Sequence, residues 1–381
     1  MSEGRGAALV REESDDCPHG DLLQIWLAVP NRPRTDCRPQ KAGQKVLNLI
    51  WEDRMFNFSL KTMAVSAALL GSVTAVSAET VLRGASMFDE DHAFTKTMRE
   101  FERLVAENYD GDVSFDLRLN GELGVESDYV TYLNQGVAVD YTILAPSNMA
   151  VFSDSIPLMD MPFLFRDLDH WNAVLSSNAF APLEADLREA AGIVIVGYHG
   201  GGVRNLVSAE PITSMEELAD HRMRVMGAPI QAQTFDAVGA APAAIAYNEV
   251  YNAIQTGVIA GFENEAASIQ NLKFYEVAPH ISLTQHTITV RPIVFSAKVF
   301  DALDADLQAA IKAAGAEAGA FGRALESGAD GEILKEMEAA GQVVIHQFEG
   351  RDQMLELVGP VQDAYAAQLG ATELLENVRG M

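Results

Sequence analysis

The sequence predicts a mixed α/β fold for residues 79–381. Short apolar or alternating segments typical of strands recur along this region, and stretches with apolar residues at helical spacing separate them. Neither an internal repeat of short period nor a low-complexity tract interrupts this pattern. Because strands that alternate with helices form a sheet covered by helices, we expect mixed sheets flanked by helices.

The first part of this region alternates strand and helix. Phe94, Met98 and Phe101 recur at helical spacing, after acidic residues that favour a helix N-terminus. Gly136 is expected to end the next helix, since glycine readily adopts the left-handed conformation at helix ends. The predicted strands are Thr80–Ser86, Val113–Leu119, Val139–Leu144 and Ile193–Tyr198, and the further helices are Ser127–Gln135, Asp169–Ser176 and Ala179–Ala190.

The second part continues the alternation and ends in helices. Residues 214–217 form a capping box at a short helix. Residues 239–269 combine the end of a strand, a helix and another strand, and the chain is helical and Ala-rich from Asp304. The predicted strands are Arg222–Val225, Ala260–Glu263, Ile281–Thr284, Thr289–Ser296 and Val343–His346.

The chain is long enough for two domains and strongly acidic. It has 381 residues, of which 48% are hydrophobic, and a formal net charge of −27. All of this excess lies in residues 79–381, which carry 18 basic and 45 acidic side chains. Such a surface repels nucleic acid and anionic lipid, so we expect no nucleic-acid partner. An anionic ligand would need cationic side chains in its binding site to offset the repulsion from this negatively charged surface.

Residues 55–78 have the parts of a secretory signal peptide. Lys61 precedes an apolar run over 63–76, and small residues at 76–78 form a cleavage site before Glu79. The apolar run is shorter than the about 20 residues that a bilayer span needs. We therefore expect export to the periplasm with cleavage near Ala78-Glu79. Residues 1–54 are interpreted as a mis-assigned leader, with a genuine extra segment as the alternative.

Several kinds of catalytic or metal site are disfavoured. Cys17 and Cys37 both lie in the leader, so a Cys-ligated zinc or a thiol nucleophile is excluded from the mature chain. The run at 199–202, His-Gly-Gly-Gly, resembles an esterase oxyanion hole, but no G-x-S-x-G elbow accompanies it. We interpret that run as a flexible strand crossing between domains. We expect no metal, no cofactor and no enzymatic activity, with an exported hydrolase as the least favoured alternative.

Two arginines and an asparagine indicate a carboxylate-binding site. Arg224 lies at the carboxyl end of a predicted strand, where ligands bind in open α/β sheets. A planar guanidinium there can hold a carboxylate through two parallel hydrogen bonds. Arg204 follows the glycine run, and Asn264 ends a predicted strand with an amide that can donate to an oxygen. Each has a plain alternative, a surface charge for the arginines and a loop cap for Asn264.

Three long motifs resemble the DctP-type substrate-binding proteins of tripartite ATP-independent periplasmic (TRAP) transporters. They are LNGELGVESDYVTYLNQGVAVD at 119–140, PITSMEELADHRMRVMGAP at 211–229 and PAAIAYNEVYNAIQTGVIAGFENEAASI at 242–269. The resemblance extends over nearly all of residues 79–381. The chain departs from the family pattern at Ala260, where the family has Asp, and at 219–221, where it lacks Lys-Gly.

The resemblance implies a set of ligand-binding residues. Arg224, Arg204 and Asn264 match the positions that bind the substrate carboxylate, and Tyr247 matches an aromatic that packs on the ligand. The resemblance places His286 at the far side of the pocket, Glu126 against substrate hydroxyls and Asn148, more weakly, beside it.

The resemblance also implies a two-lobed periplasmic-binding-protein fold of type II. Crossing strands and a long helix would join the lobes, which would close on the ligand by a hinge motion. The expected first lobe is 79–202 with about 290–330, and the second is 203–289 with about 331–381, including the C-terminal helices. The closed monomer would deliver its ligand to a TRAP membrane permease.

The polar first-lobe residues favour a sugar acid such as a uronate as the ligand. A C4-dicarboxylate or a keto acid is the alternative within the family, although it would need more cations opposite the clamp. A sensory ligand-binding protein of the same fold is a further alternative.

Overall fold

The computed structural model describes residues 79–381, so the predicted leader (1–54) and signal peptide (55–78) lie outside the described residues. The strands are β1 Thr80–Ala85, β2 Val113–Arg118, β3 Tyr141–Ile143, β4 Ile193–Ser208, β5 Arg222–Val225, β6 Ala241–Ala244, β7 Gly261–Asn264, β8 His280–Ser296 and β9 Val344–Gln347. The α-helices are α1 Ala93–Asn108, α2 Glu126–Gln135, α3 Leu168–Leu175, α4 Ala181–Ala191, α5 Met215–Leu218, α6 Pro229–Ala237, α7 Val250–Gln255, α8 Ala266–Asn271, α9 Ala297–Phe300, α10 Ala305–Ala339, α11 Arg351–Gln368 and α12 Thr372–Gly380. The predicted mixed α/β class is confirmed.

Two long antiparallel strands, β4 and β8, run through the whole sheet. The strand order is β2-β1-β3-β8-β4-β7-β5-β6, and β9 joins β8 at its amino-terminal half. The carboxyl-terminal half of β8 pairs instead with β3. At each end of the sheet the two outermost strands are parallel to each other, β2 with β1 and β5 with β6. One half of the sheet consists of β1, β2 and β3, and the other of β5, β6, β7 and β9. The long strands β4 and β8, called the crossing strands below, belong to both halves.

The crossing strands are longer than the sequence predicts. The strand expected at 193–198 continues to Ser208, and the two strands expected at 281–284 and 289–296 form one β8. Gly200 and Gly201 have φ values of 128° and 114°, a conformation that favours glycine, and the pairing with β8 resumes at Val203 after a register shift. The glycines mark an irregularity inside a strand rather than its end, which fits the predicted crossing-strand role.

Helix α10 spans both halves of the sheet and lies on β4. Its amino-terminal end packs in a core with Leu82 and Phe101, and its carboxyl-terminal end packs in another core with Phe262. The contact with β4 is so close that a Cβ on Gly319 would lie 2.6 Å from the Tyr198 carbonyl oxygen. The long helix and the crossing strands thus connect the two halves, as the fold prediction states.

The C-terminal helices contact both halves of the structure. Met354 and Val358 of α11 pack in a core with Phe235, whereas Tyr365 and Val378 pack in the core that contains Trp171. The predicted lobe boundaries stay a prediction. Within residues 79–381, no helix is both long and apolar enough to cross a bilayer.

The contact between α10 and β4 gives a prediction with an internal control. Gly319→Ala should lower the free energy of unfolding by about 1–3 kcal/mol, because the new methyl group forces the helix away from the Tyr198 backbone. Gly328→Ala in the same helix should raise it by about 0.5–1 kcal/mol, since nothing lies within 4 Å of that position. Urea denaturation of both variants measures the difference. Changes of the same sign and size would contradict the close contact.

Candidate functional site

A cavity of about 650 Å³ brings together side chains from both halves of the sheet. Six of the seven predicted binding residues line it: Arg204, Arg224, Asn264, Tyr247, Glu126 and Asn148. Strands β4, β5 and β7 supply the first three, and the start of α2 and the turn Pro146–Met149 supply the last two. The predicted residues thus meet in one place, although they are spread over 139 positions.

Arg204 is completely engaged by protein acceptors. Its Nε donates to Glu263, and one Nη donates to both the Asn264 side-chain oxygen at 2.7 Å and Glu265 at 2.5 Å. The other Nη donates to the Glu263 carbonyl oxygen at 2.6 Å and to its carboxylate at 2.8 Å. All five N–H groups of the guanidinium therefore have partners. To bind a ligand carboxylate as the sequence predicts, Arg204 would have to exchange one of these bonds.

Arg224, unlike Arg204, has hydrogen-bond donors without protein acceptors among the described residues. It is 4% exposed, and its Nε donates to the Ile245 carbonyl oxygen at 3.0 Å. Its two Nη groups have no hydrogen-bond partner among residues 79–381, and its guanidinium lies 5.2 Å from the centre of the Tyr247 ring. Burial lowers the pKa of Arg224, whereas the pKa of Arg204 is raised because Glu263 and Glu265 outweigh the same burial. The cavity therefore contains a buried cation with unused donors.

Asn264 and Tyr247 form a hydrogen-bonded pair beside Arg224. The Arg204 contact fixes the Asn264 side-chain oxygen as an acceptor, so the amide nitrogen faces the Tyr247 hydroxyl at 2.6 Å. Tyr247 accepts this bond, which leaves its own O–H free to donate, and burial raises its pKa so that the proton is retained. Arg204 thus positions an amide and, through it, a phenol.

Glu126 and Asn148 bring a carboxylate and an amide into the same cavity from α2 and the turn Pro146–Met149. Glu126 accepts from the Asn148 amide at 2.6 Å and from the backbone N–H of Ala145 at 3.0 Å through the same oxygen. Its other oxygen has no hydrogen-bond partner among the described residues. An acceptor in this place can receive a hydroxyl proton.

His286 differs from the prediction, because it does not line the cavity. Its ring is buried behind the ion pair of Arg204 and Glu263, with Nε2 3.3 Å from Glu263 and Nδ1 2.8 Å from the Thr284 hydroxyl. Burial lowers the pKa of His286, which keeps the ring neutral. The ring therefore supports Glu263, whose own pKa is lowered to about 2 because Arg204 and His286 outweigh burial.

Sequence reasoning missed several residues that line the cavity. They include Arg291, Glu265, Ser268 and the aromatic side chains Phe88 and Phe94. A signal for Arg291 was present in the sequence, since a lone arginine inside the apolar strand TVRPIVF is unusual in a core. Glu265 follows Asn264 directly in the sequence, but abundant acidic residues make a single glutamate a weak signal.

The glycine run that resembles an oxyanion hole has a structural role. The His199 side chain is completely buried, 2.7 Å from Glu326 of α10 and 3.1 Å from the Thr97 hydroxyl. It faces the long helix and does not line the cavity. Gly202 of the same run lies so close to two side chains that a Cβ there would clash with Glu326 Oε1 and lie 2.8 Å from the Glu265 Cβ. These contacts connect β4 to α10 and leave His199 no access to a ligand.

Comparison with known proteins agrees with the motifs. The sequence model of the bacterial extracellular solute-binding proteins of family 7, DctP, matches residues 85–368. A solute-binding protein of Sulfitobacter sp. (strain NAS-14.1) is 72% identical over 316 residues, which cover 83% of this chain and 96% of the relative.

Solved structures show the same fold. A TRAP periplasmic solute-binding protein from Sulfitobacter sp. NAS-14.1 with bound α-D-taluronate is 74% identical, with a TM-score of 0.78 over 79% of this chain and 97% of that one. Another from the same organism, with bound β-D-galacturonate, is 27% identical, with a TM-score of 0.73 over 79% and 100%. The chain therefore belongs to family 7 of the bacterial extracellular solute-binding proteins, the DctP family.

Proposed function

We propose that this protein binds a sugar acid with one carboxylate, such as a uronate, and delivers it to a TRAP membrane permease. The observation that carries the proposal is the pair of unused Nη groups on buried Arg224, which line a cavity that Glu126 and Asn148 also line. The uronates bound by the two Sulfitobacter relatives support this choice of ligand class.

The carboxylate would bind at the Arg224 end of the cavity. Its two oxygens would accept from the Nη groups of Arg224 in a fork, which is the geometry that makes arginine pairs with carboxylates strong. The Tyr247 hydroxyl and the second N–H of the Asn264 amide would donate to the same oxygens. Arg204 would act by holding Asn264 and Glu263 in place. No covalent chemistry is required of any of these groups.

The ligand would also favour closure of the protein around it. Arg224 and Asn264 belong to the predicted second lobe, and Glu126 and Asn148 belong to the predicted first lobe. A ligand that touches both sets binds the closed state more tightly than the open state, and this difference in affinity drives closure. The closed, loaded protein would be the form that the permease recognises in the periplasm, after export by the predicted signal peptide.

A C4-dicarboxylate or a keto acid is the alternative within this family. Besides Glu126, the acidic residues Glu265 and Asp154 line the cavity. A second ligand carboxylate would meet like charge there, which is unfavourable in a partly desolvated site. A sensory role for the same binding site would require a receptor partner in place of the permease.

Calorimetric titration with a ligand panel tests the proposed ligand class. D-Taluronate, D-galacturonate or D-glucuronate should bind at least roughly 100-fold more tightly than the neutral parent sugar, because the neutral sugar leaves the buried Arg224 charge unpaired. Succinate and pyruvate serve as the controls for the alternative ligand classes. Tightest binding of succinate or pyruvate would refute the sugar-acid assignment.

Replacement of Arg224 should remove most of the affinity. Arg224→Ala is expected to cost about 3–5 kcal/mol, a roughly 10²- to 10⁴-fold rise in Kd, because a ligand carboxylate would be left unpaired in a desolvated cavity. Arg222→Ala is the matched control, since Arg222 lies two residues earlier on β5 and is exposed. Calorimetry of both variants with the best uronate measures the effect. Near-native affinity in Arg224→Ala would remove the basis of the carboxylate assignment.

Removal of the Tyr247 hydroxyl should give a smaller loss. Tyr247→Phe keeps the ring against Arg224 but deletes a donor to the charged ligand, which costs about 1.5–3 kcal/mol, or roughly 10- to 100-fold in Kd. Tyr251→Phe is the control, because that hydroxyl bonds Glu276 and does not line the cavity. If both variants bind equally well, Tyr247 contributes only its ring.

A further inference from the structure

Arg291 is a second buried arginine with unused donors. It is 4% exposed on β8 and lines the cavity, yet only one of its nitrogens, Nη1, donates a hydrogen bond within residues 79–381, to the Val290 carbonyl oxygen at 3.1 Å. Its Nη2 is 3.8 Å from Glu265, which is beyond hydrogen-bond distance. An arginine stays charged in a protein and has five N–H donors. Most of these donors therefore have no hydrogen-bond partner among the described residues.

Glu265 beside it is an oriented acceptor. One of its carboxylate oxygens accepts from Arg204 at 2.5 Å, and the other accepts from the Ser268 hydroxyl at 2.5 Å. His92 holds Ser268 in turn, with Nε2 3.4 Å from the serine oxygen. Burial lowers the pKa of His92 to about 4, so the neutral ring donates to Ser268 through Nε2, while its Nδ1 accepts from the Phe94 backbone. Each oxygen of Glu265 retains a further lone pair.

The local charges select for an uncharged ligand group. The charge of Arg291 is compensated by carboxyl groups of the protein, since Glu265 lies 3.8 Å away and Arg291 also acts on the pKa values of buried Glu326 and Asp160. Arg224, by contrast, has no carboxylate within 4 Å among the described residues. A ligand carboxylate next to Arg291 would lie against Glu265 and be repelled by it. A hydroxyl group can accept from Arg291 and donate to Glu265 at the same time.

Aromatic side chains lie next to Arg291 in the lining of the cavity. Phe88 and Phe94 line the cavity and contact each other edge to face, with centroids 5.3 Å apart. The His92 ring stacks on Phe88 at 3.6 Å, and the Arg291 guanidinium lies 6.0 Å from the centre of the Phe94 ring. Rigid aromatic side chains next to donors and acceptors give one polar and one apolar contact surface.

We propose that Arg291 and Glu265 form a second subsite, which binds a pair of vicinal hydroxyl groups of the sugar acid. The inference rests on the proposed function, and it assigns the two ends of the ligand. The carboxylate lies at Arg224 and the diol at Arg291. This subsite makes Arg291 a specificity-determining residue that distinguishes polyhydroxylated acids from dicarboxylates and keto acids.

A thermodynamic cycle that combines substitution of Arg291 with removal of single ligand hydroxyl groups tests the subsite. Kd values are measured by calorimetry for the wild type and for Arg291→Met, with the best of the three uronates and with its analogues that each lack one hydroxyl group. In the wild type, loss of one or two particular hydroxyls should weaken binding at least 10-fold. Arg291→Met should weaken the parent uronate by a similar factor and bind those deoxy analogues as well as it binds the parent.

Controls separate the possible failures. Arg291→Lys keeps the charge without the fork and should show the same loss of hydroxyl discrimination, and thermal unfolding of both variants without ligand verifies that they fold. A wild type that binds none of the three uronates would refute the proposed function itself. A wild type that binds a uronate while Arg291→Met weakens the parent and every deoxy analogue equally would overturn the subsite alone. Tighter binding of the corresponding sugar diacid would also overturn it.

Discussion

The buried ion cluster of Arg204 with Glu263 and Glu265 is the interaction on which the site depends. Every donor of Arg204 is used, and its bonds fix the Asn264 amide and the Glu265 carboxylate in single orientations. Both acids are engaged by Arg204, and no carboxylate lies within 4 Å of Arg224 among the described residues, so Arg224 keeps unused donors in the same cavity. A protein that tolerates an unpaired buried cation is prepared for an anionic ligand, since the ligand supplies the missing charge.

Two of the cavity cations lie on the strands that connect the two halves of the fold. Arg204 lies on β4 and Arg291 on β8, the two crossing strands, and His199 on β4 pairs in register with Arg291. Helix α10 covers these strands and contacts β4 through His199 and Glu326, next to the glycines that allow close approach. Ligand contacts at Arg291 therefore reach the segment that a hinge motion would bend, whereas Arg224 lies on β5, away from that segment.

The sequence predicted the α/β class, and six of the seven site residues it named line one cavity; four of these six lie in the long motifs, where the spacing of residues along the chain is most specific. It did not predict that Glu263 and Glu265 accept the hydrogen bonds of the Arg204 guanidinium, since this depends on the antiparallel pairing of β4 with β7. His286 was assigned to the pocket, but the β8 irregularity at Gln285, with φ 43°, accompanies a ring directed at Glu263. Arg291 was missed because a charge within an apolar strand gains meaning only when its neighbours in space are known.

The orientation of the ligand is the central claim, and a crystal structure of the mature protein with the tightest-binding uronate tests it most directly. The account predicts that the two carboxylate oxygens lie within hydrogen-bond distance of the Arg224 Nη groups, with the Tyr247 hydroxyl beside them and ring hydroxyls between Arg291 and Glu265. A ligand bound in the reverse direction, with its carboxylate on Arg291 and its hydroxyls at Arg224, would contradict the account.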